Sequence, residues 1–153
     1  MFCRRARPLP RWRGLFTSSG PFFFAVLELL RPRARRLGDF VEQGNFFFTD
    51  VVQYAPDAVD KHLRVPGMDE HLTAVDVAFT AVVTFDPQSL ETALRSVADA
   101  RQVKAAALIH AVRVAVTGRA ASPGLFEVIA LVGRERTHRR LVEARRLVST
   151  SPA

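Results

Sequence analysis

Cysteine occurs once, at Cys3, so the chain carries no intrachain disulfide framework and no cysteine-rich zinc site. Lysine is almost missing as well. Lys61 and Lys104 are the only two, and no glycine-rich loop ends in Gly-Lys-Ser or Gly-Lys-Thr, which excludes a P-loop nucleotide site. The strongly apolar run from Phe22 to Leu30 is interrupted by Glu28 and falls well short of the roughly 18 residues that cross hydrocarbon. No transmembrane segment and no membrane partner are expected. None of His62, His71, His110 and His138 stands at metal-ligand spacing from another, and the acids are scattered singly. Ser18, Ser19, Ser89 and Ser122 lack the glycine-flanked context of a catalytic nucleophile. The residues therefore predict no metal site, no cofactor site and no catalytic residue in this chain. His110, beside an apolar stripe, reads as a structural or surface histidine.

What is present is arginine, unevenly placed. At 153 residues and 48% apolar, the chain has enough material for one ordinary domain or two small subdomains sharing a core. Its formal net charge is +7. Residues 1–36 hold nine arginines and one acid, residues 37–133 hold seven basic and twelve acidic side chains, and residues 134–153 hold six arginines and two glutamates. Basic ends around an acidic middle suit a polyanion held at one edge and repelled elsewhere. The competing reading is arginine on solvated helix faces. Arg31, Arg33, Arg35 and Arg36 upstream, and Arg113, Arg119, Arg134 and Arg136 downstream, cluster near turns and helix ends. Guanidinium groups there can stack on unpaired bases, bond their edges and fork onto phosphate, as in the recognition of looped RNA. Arg113, one position from Val112 in a largely apolar segment, is the least suited to mere solubilisation.

The periodicity predicts an all-α fold. Residues 1–26 read as a basic, disordered arm with prolines and glycines and no stable period. Leu27, Leu30, Ala34 and Leu37 then define one helical stripe. A short helix from Asp39 to Phe48 follows, stopped at Thr49 and Asp50. Pro56 and Asp57 open another, and Pro66-Gly67 is the clearest break, separating an upstream unit over 27–65 from a downstream unit over 69–148. Between Asp69 and Phe85, helical spacing of Leu72, Val75 and Phe79 competes with strand-like alternation of Val75, Val77, Phe79, Ala81 and Val83; helix is the reading taken. Asp86-Pro87 is a strong start, because an Asp oxygen satisfies an orphan amide and proline has none. Further helices are expected from Arg101 to Val116, from Ser122-Pro123 to Gly133, and from Arg134 to Val148.

The segment Val112 to Leu141, VRVAVTGRAASPGLFEVIALVGRERTHRRL, resembles the C-terminal signature of bacterial-type glutamyl-tRNA synthetases. It has the helix ending in A-x-T-G, the Ser/Thr-Pro-x-Leu-Phe-Glu turn, the L-x-G-x-E-R element and a closing helix. Leu29 to Phe40, Phe46 to Asp50 and Tyr54 to Leu63 are similar, in order, to that family's entry into its anticodon-binding region. The resemblance covers residues 27 to 141. It implies two small helical subdomains forming an anticodon-binding cage, with a tRNA, glutamate-specific, as partner. It further implies that Arg113 reads one anticodon base, that Ser122, Pro123, Gly124 and Leu125 shape the pocket of another, and that an upstream arginine contributes. Arg33 is the candidate, with Arg31 and Arg35 as rivals.

The family's His-x-Gly-His-like and Lys-x-Ser-Lys elements are absent from these residues, so the ATP and magnesium of aminoacylation would belong to a catalytic domain outside this chain. Alternatives at this stage are a detached half of a split synthetase acting with a separate catalytic chain, a helical adaptor binding protein through Phe22 to Phe24 and the Arg134 to Arg146 helix, and a lysine-type class I synthetase with a related helical cage. Ala111 stands where the family usually has proline, which suggests a less fixed helix entry. The expected location is cytoplasmic, or organellar if the Arg-rich start is a transit peptide.

Overall fold

A computed structural model describes residues 20–149, and every regular element among them is an α-helix. Helix α1 spans Gly20–Leu30 and α2 spans Leu37–Phe48. The single helix expected through Leu27 and Leu37 is therefore two. Pro32 lacks the amide that would continue the ladder, and Arg33 and Ala34 close the end by donating to the Leu30 carbonyl. Asp39 starts α2 by accepting the amides of Arg35 and Arg36 at 2.7 and 2.9 Å. Helix α1 begins inside the stretch read as a disordered arm, and its Val26 is buried; residues 1–19 of that arm lie outside the described residues. Gly44 lets α1 and α2 approach, since a Cβ there would stand 2.8 Å from Leu30 Cδ1.

Helix α3 covers Pro56–His62, with proline at its start as its sequence indicates. Gly67, at φ 76°, then turns the chain into α4, Met68–Ala81. The helix reading of this ambiguous segment holds because Leu72, Val75 and Phe79 all face the core, whereas Val77 and Val83, which strand alternation would bury, are exposed. Helix α5 spans Pro87–Ala100. Helix α6 spans Ala105–Thr117, so residues Arg101 to Lys104 form a loop, with Gln102 at φ 55°, in place of the expected first turn. Ala111 is fully buried within α6, and the helix entry lies six residues before it. Helix α7, Leu125–Val132, and α8, Arg134–Ser149, meet at Gly133, φ 87°.

One apolar cluster runs from Val26, Leu30 and Phe47 through Val59 and Leu63 to Leu72, Leu90, Val112, Ile129 and Leu141, crossing the Pro66-Gly67 break. Polar ties span it. The Asp76 carboxylate of α4 meets His138 Nδ1 of α8 at 2.9 Å. Tyr54 donates to the Ala115 carbonyl at 3.1 Å, and burial, then the Glu143 carboxylate, push its hydroxyl above the usual tyrosine range despite Arg140.

Arginines of the basic tail are part of this framework. Arg134 donates to the carbonyls of Phe79, Thr80 and Val82, closing the end of α4, and lies 4.9 Å from the centre of the Phe85 ring. Arg136 donates to the Phe47 carbonyl at 3.0 Å and stands 3.5 Å from Asp50. Of the downstream arginines proposed for a polyanion, these two are consumed by carbonyls at helix ends.

Two local features give direct tests. Asp86 accepts the Ser89 amide at 2.9 Å, and that bond, with the Ser89 hydroxyl, holds its carboxyl below the ordinary range. A depressed carboxyl contributes stability that is present above its unfolded pKa and is lost as pH falls through its folded one. Asp86→Ala is therefore expected to lower Tm at neutral pH and to leave it unchanged once the native carboxyl is protonated; equal losses at both pH values would contradict the cap. Gly118, at φ 75°, ends α6 with Ala55 donating to its carbonyl, and a Cβ there would lie 2.0 Å from the Gln53 carbonyl oxygen. Gly118→Ala is expected to cost at least about 2 kcal/mol in urea denaturation; an unchanged midpoint would contradict the close crossing.

Candidate nucleic-acid interface

The turn between α1 and α2 carries four arginines, and one of them crosses the molecule. Arg33 donates from Nη1 to the Ser122 carbonyl at 2.6 Å, joining positions 89 residues apart. Gln43 supports the turn through its amide, which reaches the Arg33 carbonyl at 3.4 Å. The rivals point elsewhere. Arg31 lies 3.5 Å from Glu28 along α1, and Arg35 contributes its backbone amide to Asp39 while its side chain is exposed. Arg33, Ser122 and Pro123 line one cleft of about 160 Å³ together with Gln43, Phe46 and Arg119. Small-molecule pockets usually hold about 300–1,000 Å³, so the size suits one flat ring better than a whole ligand.

Arg113 stands on α6 and is not among the residues lining this cleft. Its half-buried side chain feels Arg33 electrostatically, and burial, then that neighbour, lowers its pKa below the usual arginine value. Arg113 Nε is buried with no acceptor among the described residues. No carboxylate among them pairs with Arg33, Arg113 or Arg119. Arg33 thus shares the cleft with Arg119 and lies within electrostatic reach of Arg113, with no counter-ion among the described residues. Like charges gathered in this way repel, and the field they create favours an anionic or electron-rich partner. Thr117 fixes the end of the helix bearing Arg113, donating its hydroxyl to the Arg113 carbonyl at 2.7 Å and accepting the Arg119 amide at 3.3 Å. The threonine and glycine of A-x-T-G are thus structural, placing Arg113 and Arg119 on either side of a tight stop.

The expected pocket turn differs in detail. Ser122 does not cap a helix; its hydroxyl donates to the Pro123 carbonyl at 2.9 Å, and Gly124 takes the cap position before Leu125. Glu127 folds back over Gly124, where a Cβ would lie 2.1 Å from its carboxylate, so an acid already sits at this helix start. Leu125 is 3% exposed and packs inward, so it supports the turn from beneath and has no face to offer a base. Gly124 is exposed and Pro123 is buried.

Sequence reasoning left Arg119, Gln43 and the His62–His110 pair out of the site. Arg119 was one arginine among several near turns, and Gln43 carries no local signal. His62 and His110 come from helices α3 and α6, and their rings stack with centroids 5.0 Å apart and planes 18° apart. The groups excluded from metal binding by spacing are neighbours in space, yet no cluster of three metal-ligating side chains exists among the described residues. A larger cavity lies elsewhere among the described residues. It is an apolar groove of about 750 Å³ between α1 and α2, lined by Phe23, Val26, Leu27, Phe40, Val41 and Phe48, with no polar group to orient a ligand beyond its Glu28–Arg31 rim and Asn45. Phe23 and Phe24 are exposed there, while Phe22 packs edge-on against Phe47 and Phe48.

The family described as anticodon binding domain matches residues 2–145. A glutamate–tRNA ligase 2 of Koribacter versatilis is 42% identical over 123 residues, covering 80% of this chain and 26% of that protein. A glutamate–tRNA ligase of Moorella thermoacetica is 31% identical over 150 residues, covering 95% of this chain and 31% of the relative. The fold is also similar to a crystal structure of a glutamate tRNA ligase from Elizabethkingia meningosepticum, with a TM-score of 0.79 and 18% identity over 86% of this chain and 26% of that one. The chain spans roughly a quarter to a third of the length of these curated relatives.

Proposed function

The chain belongs to the anticodon binding domain family, as the anticodon-binding region of a glutamate–tRNA ligase family member, and from that premise we propose that it grips the anticodon loop of a glutamate-specific tRNA. It does so as the non-catalytic part of a ligase. The observation that carries this reading is that Arg33 and Arg119 line one cleft with Ser122 and Pro123, that Arg113 lies within electrostatic reach of Arg33, and that none of the three is paired with a carboxylate among the described residues. An unpaired base enters the cleft edge first. Arg113 supplies hydrogen bonds to that edge, and Arg33 ties the upstream turn to the carbonyl of Ser122 so that the cleft keeps its width. Arg119, exposed at the rim, meets the backbone phosphate. ATP and magnesium act in the catalytic portion of the ligase, and aminoacylation requires that portion.

Salt and substitution separate these roles. Arg119→Ala is expected to weaken binding of folded glutamate tRNA about equally for every anticodon and to reduce the salt dependence by about one phosphate contact between roughly 50 and 200 mM salt. Arg33→Ala is expected to weaken binding and also reduce discrimination, because the cleft loses one wall. Unchanged binding in both variants would contradict the interface.

A second reading concerns the partner chain. The exposed Phe23, Phe24, Val41 and Phe48 around the α1–α2 groove suit docking of a separately encoded catalytic chain, as in a split synthetase. Mixing this chain with such a catalytic half, and recovering glutamylation that neither has alone, tests it; no recovery would count against it.

A further inference from the structure

The cationic surface does not end at the arginine cluster. His110 precedes Arg113 by three residues on α6, so the two side chains are neighbours on one helix face. Across from them, at the end of α3, His62 stacks on His110 with ring centroids 5.0 Å apart, and Lys61 adjoins it. His110 Nδ1 and Arg113 Nε are buried and lack acceptors among the described residues. Arg113 is in turn an electrostatic neighbour of Arg33, which makes the row continuous from the Ser122 turn to α3.

We propose that the stacked His62–His110 pair, flanked by Arg113 and Lys61, receives a backbone phosphodiester of the bound RNA. The proposal rests on the anticodon-loop reading and extends it from the base cleft to the neighbouring strand. Two nearly parallel imidazoles beside a guanidinium and an ammonium, with no carboxylate among the described residues bonded to them, form a donor set for a phosphate oxygen. Without the anion, burial and then the charges of His110, Lys61 and Arg113 hold the proton affinity of His62 below its ordinary value. A bound phosphate reverses the sign of the local field and restores that affinity, so binding takes up a proton. The groups facing His62 are His110 and Arg113 from α6 and Lys61 from its own helix. The other described histidines are engaged elsewhere, His71 by Arg101 and His138 by Asp76.

The test measures binding of the full chain to a folded glutamate tRNA transcript at about pH 6 and about pH 8, beside the same transcript with its anticodon changed. Wild type is expected to bind about five- to tenfold more tightly at the lower pH. His62→Asn and His110→Asn are each expected to flatten that dependence, with the thermal midpoint checked so that a folding defect is not mistaken for it, and to leave the ratio between the two transcripts unchanged. A wild type insensitive to pH, or a pH dependence that survives in both variants, would overturn the phosphate site. The anticodon ratio judges the reading itself, so absence of discrimination sinks the reader while the pH profile still decides the phosphate contact.

Discussion

Arg140→Ala is expected to cost about 3–5 kcal/mol, the largest loss of any single substitution considered for this chain. Arg140 is 2% exposed, and its guanidinium donates to the carbonyls of Val116, Phe46 and Thr49 at 2.8, 2.6 and 2.8 Å. One side chain thereby ties α8 to the ends of α2 and α6. Burial and the nearby Arg136 lower its pKa, and Tyr54, Asp50 and Glu143 oppose that shift, so the cation is held by surrounding carbonyl and acidic oxygen. Truncation leaves the three carbonyls without their donor. Against a total stability of about 5–15 kcal/mol, such a loss leaves much of the chain unfolded on mild warming. Urea titration should show a midpoint shift at constant m. Arg140→Lys retains the charge but not the fork, and is expected to fall between wild type and alanine. A midpoint unchanged in Arg140→Ala would contradict the clamp.

Arg113→Met is expected to do the reverse, abolishing a function while sparing the fold. Its cation is half-buried, has no acidic partner among the described residues, and is repelled by Arg33. Replacing it by an apolar side chain of similar reach removes that repulsion and fills the same space. After allowance for solvent screening at a half-exposed site, a gain of about 0.5–1 kcal/mol is expected. Binding should move the other way. Losing one charged hydrogen bond to a base edge costs about 1.5–3 kcal/mol, or roughly 10- to 150-fold in affinity for the cognate loop, with much less effect on a loop whose base was never accommodated. Thermal melting and tRNA titration of the same preparation check both halves. A variant that loses stability and affinity together would assign Arg113 to the framework.

The contrast between these two arginines marks what a single sequence conveys. Helix starts carried by adjacent residues were legible, as at Pro56-Asp57 and Asp86-Pro87, because the capping groups lie within one turn of what they cap. Pro32 was equally local, yet the spacing of Leu27, Leu30 and Ala34 masked it; the missing amide overrode the stripe. By resemblance Leu125 helps shape a base pocket, although Leu125, Ile129 and Val132 at core spacing already imply burial. Arg33 and Ser122 were both anticipated, but their hydrogen bond joins positions 89 residues apart and has no local signature. The same holds for the bonds of Arg134, Arg136 and Arg140, which convert a basic tail that resembled polyanion-binding charge into an internal framework. The His62–His110 stack likewise depends on how α3 crosses α6.

The most direct measurement is competition at one salt concentration between glutamate tRNA and versions of it altered at single anticodon bases, for binding to the full chain. The account predicts that the native anticodon wins by about tenfold or more, and that the advantage disappears in Arg113→Met while residual binding persists through phosphate contacts. Equal competition by every anticodon, with wild type and variant alike, would contradict it and leave a basic surface that holds RNA without reading a base.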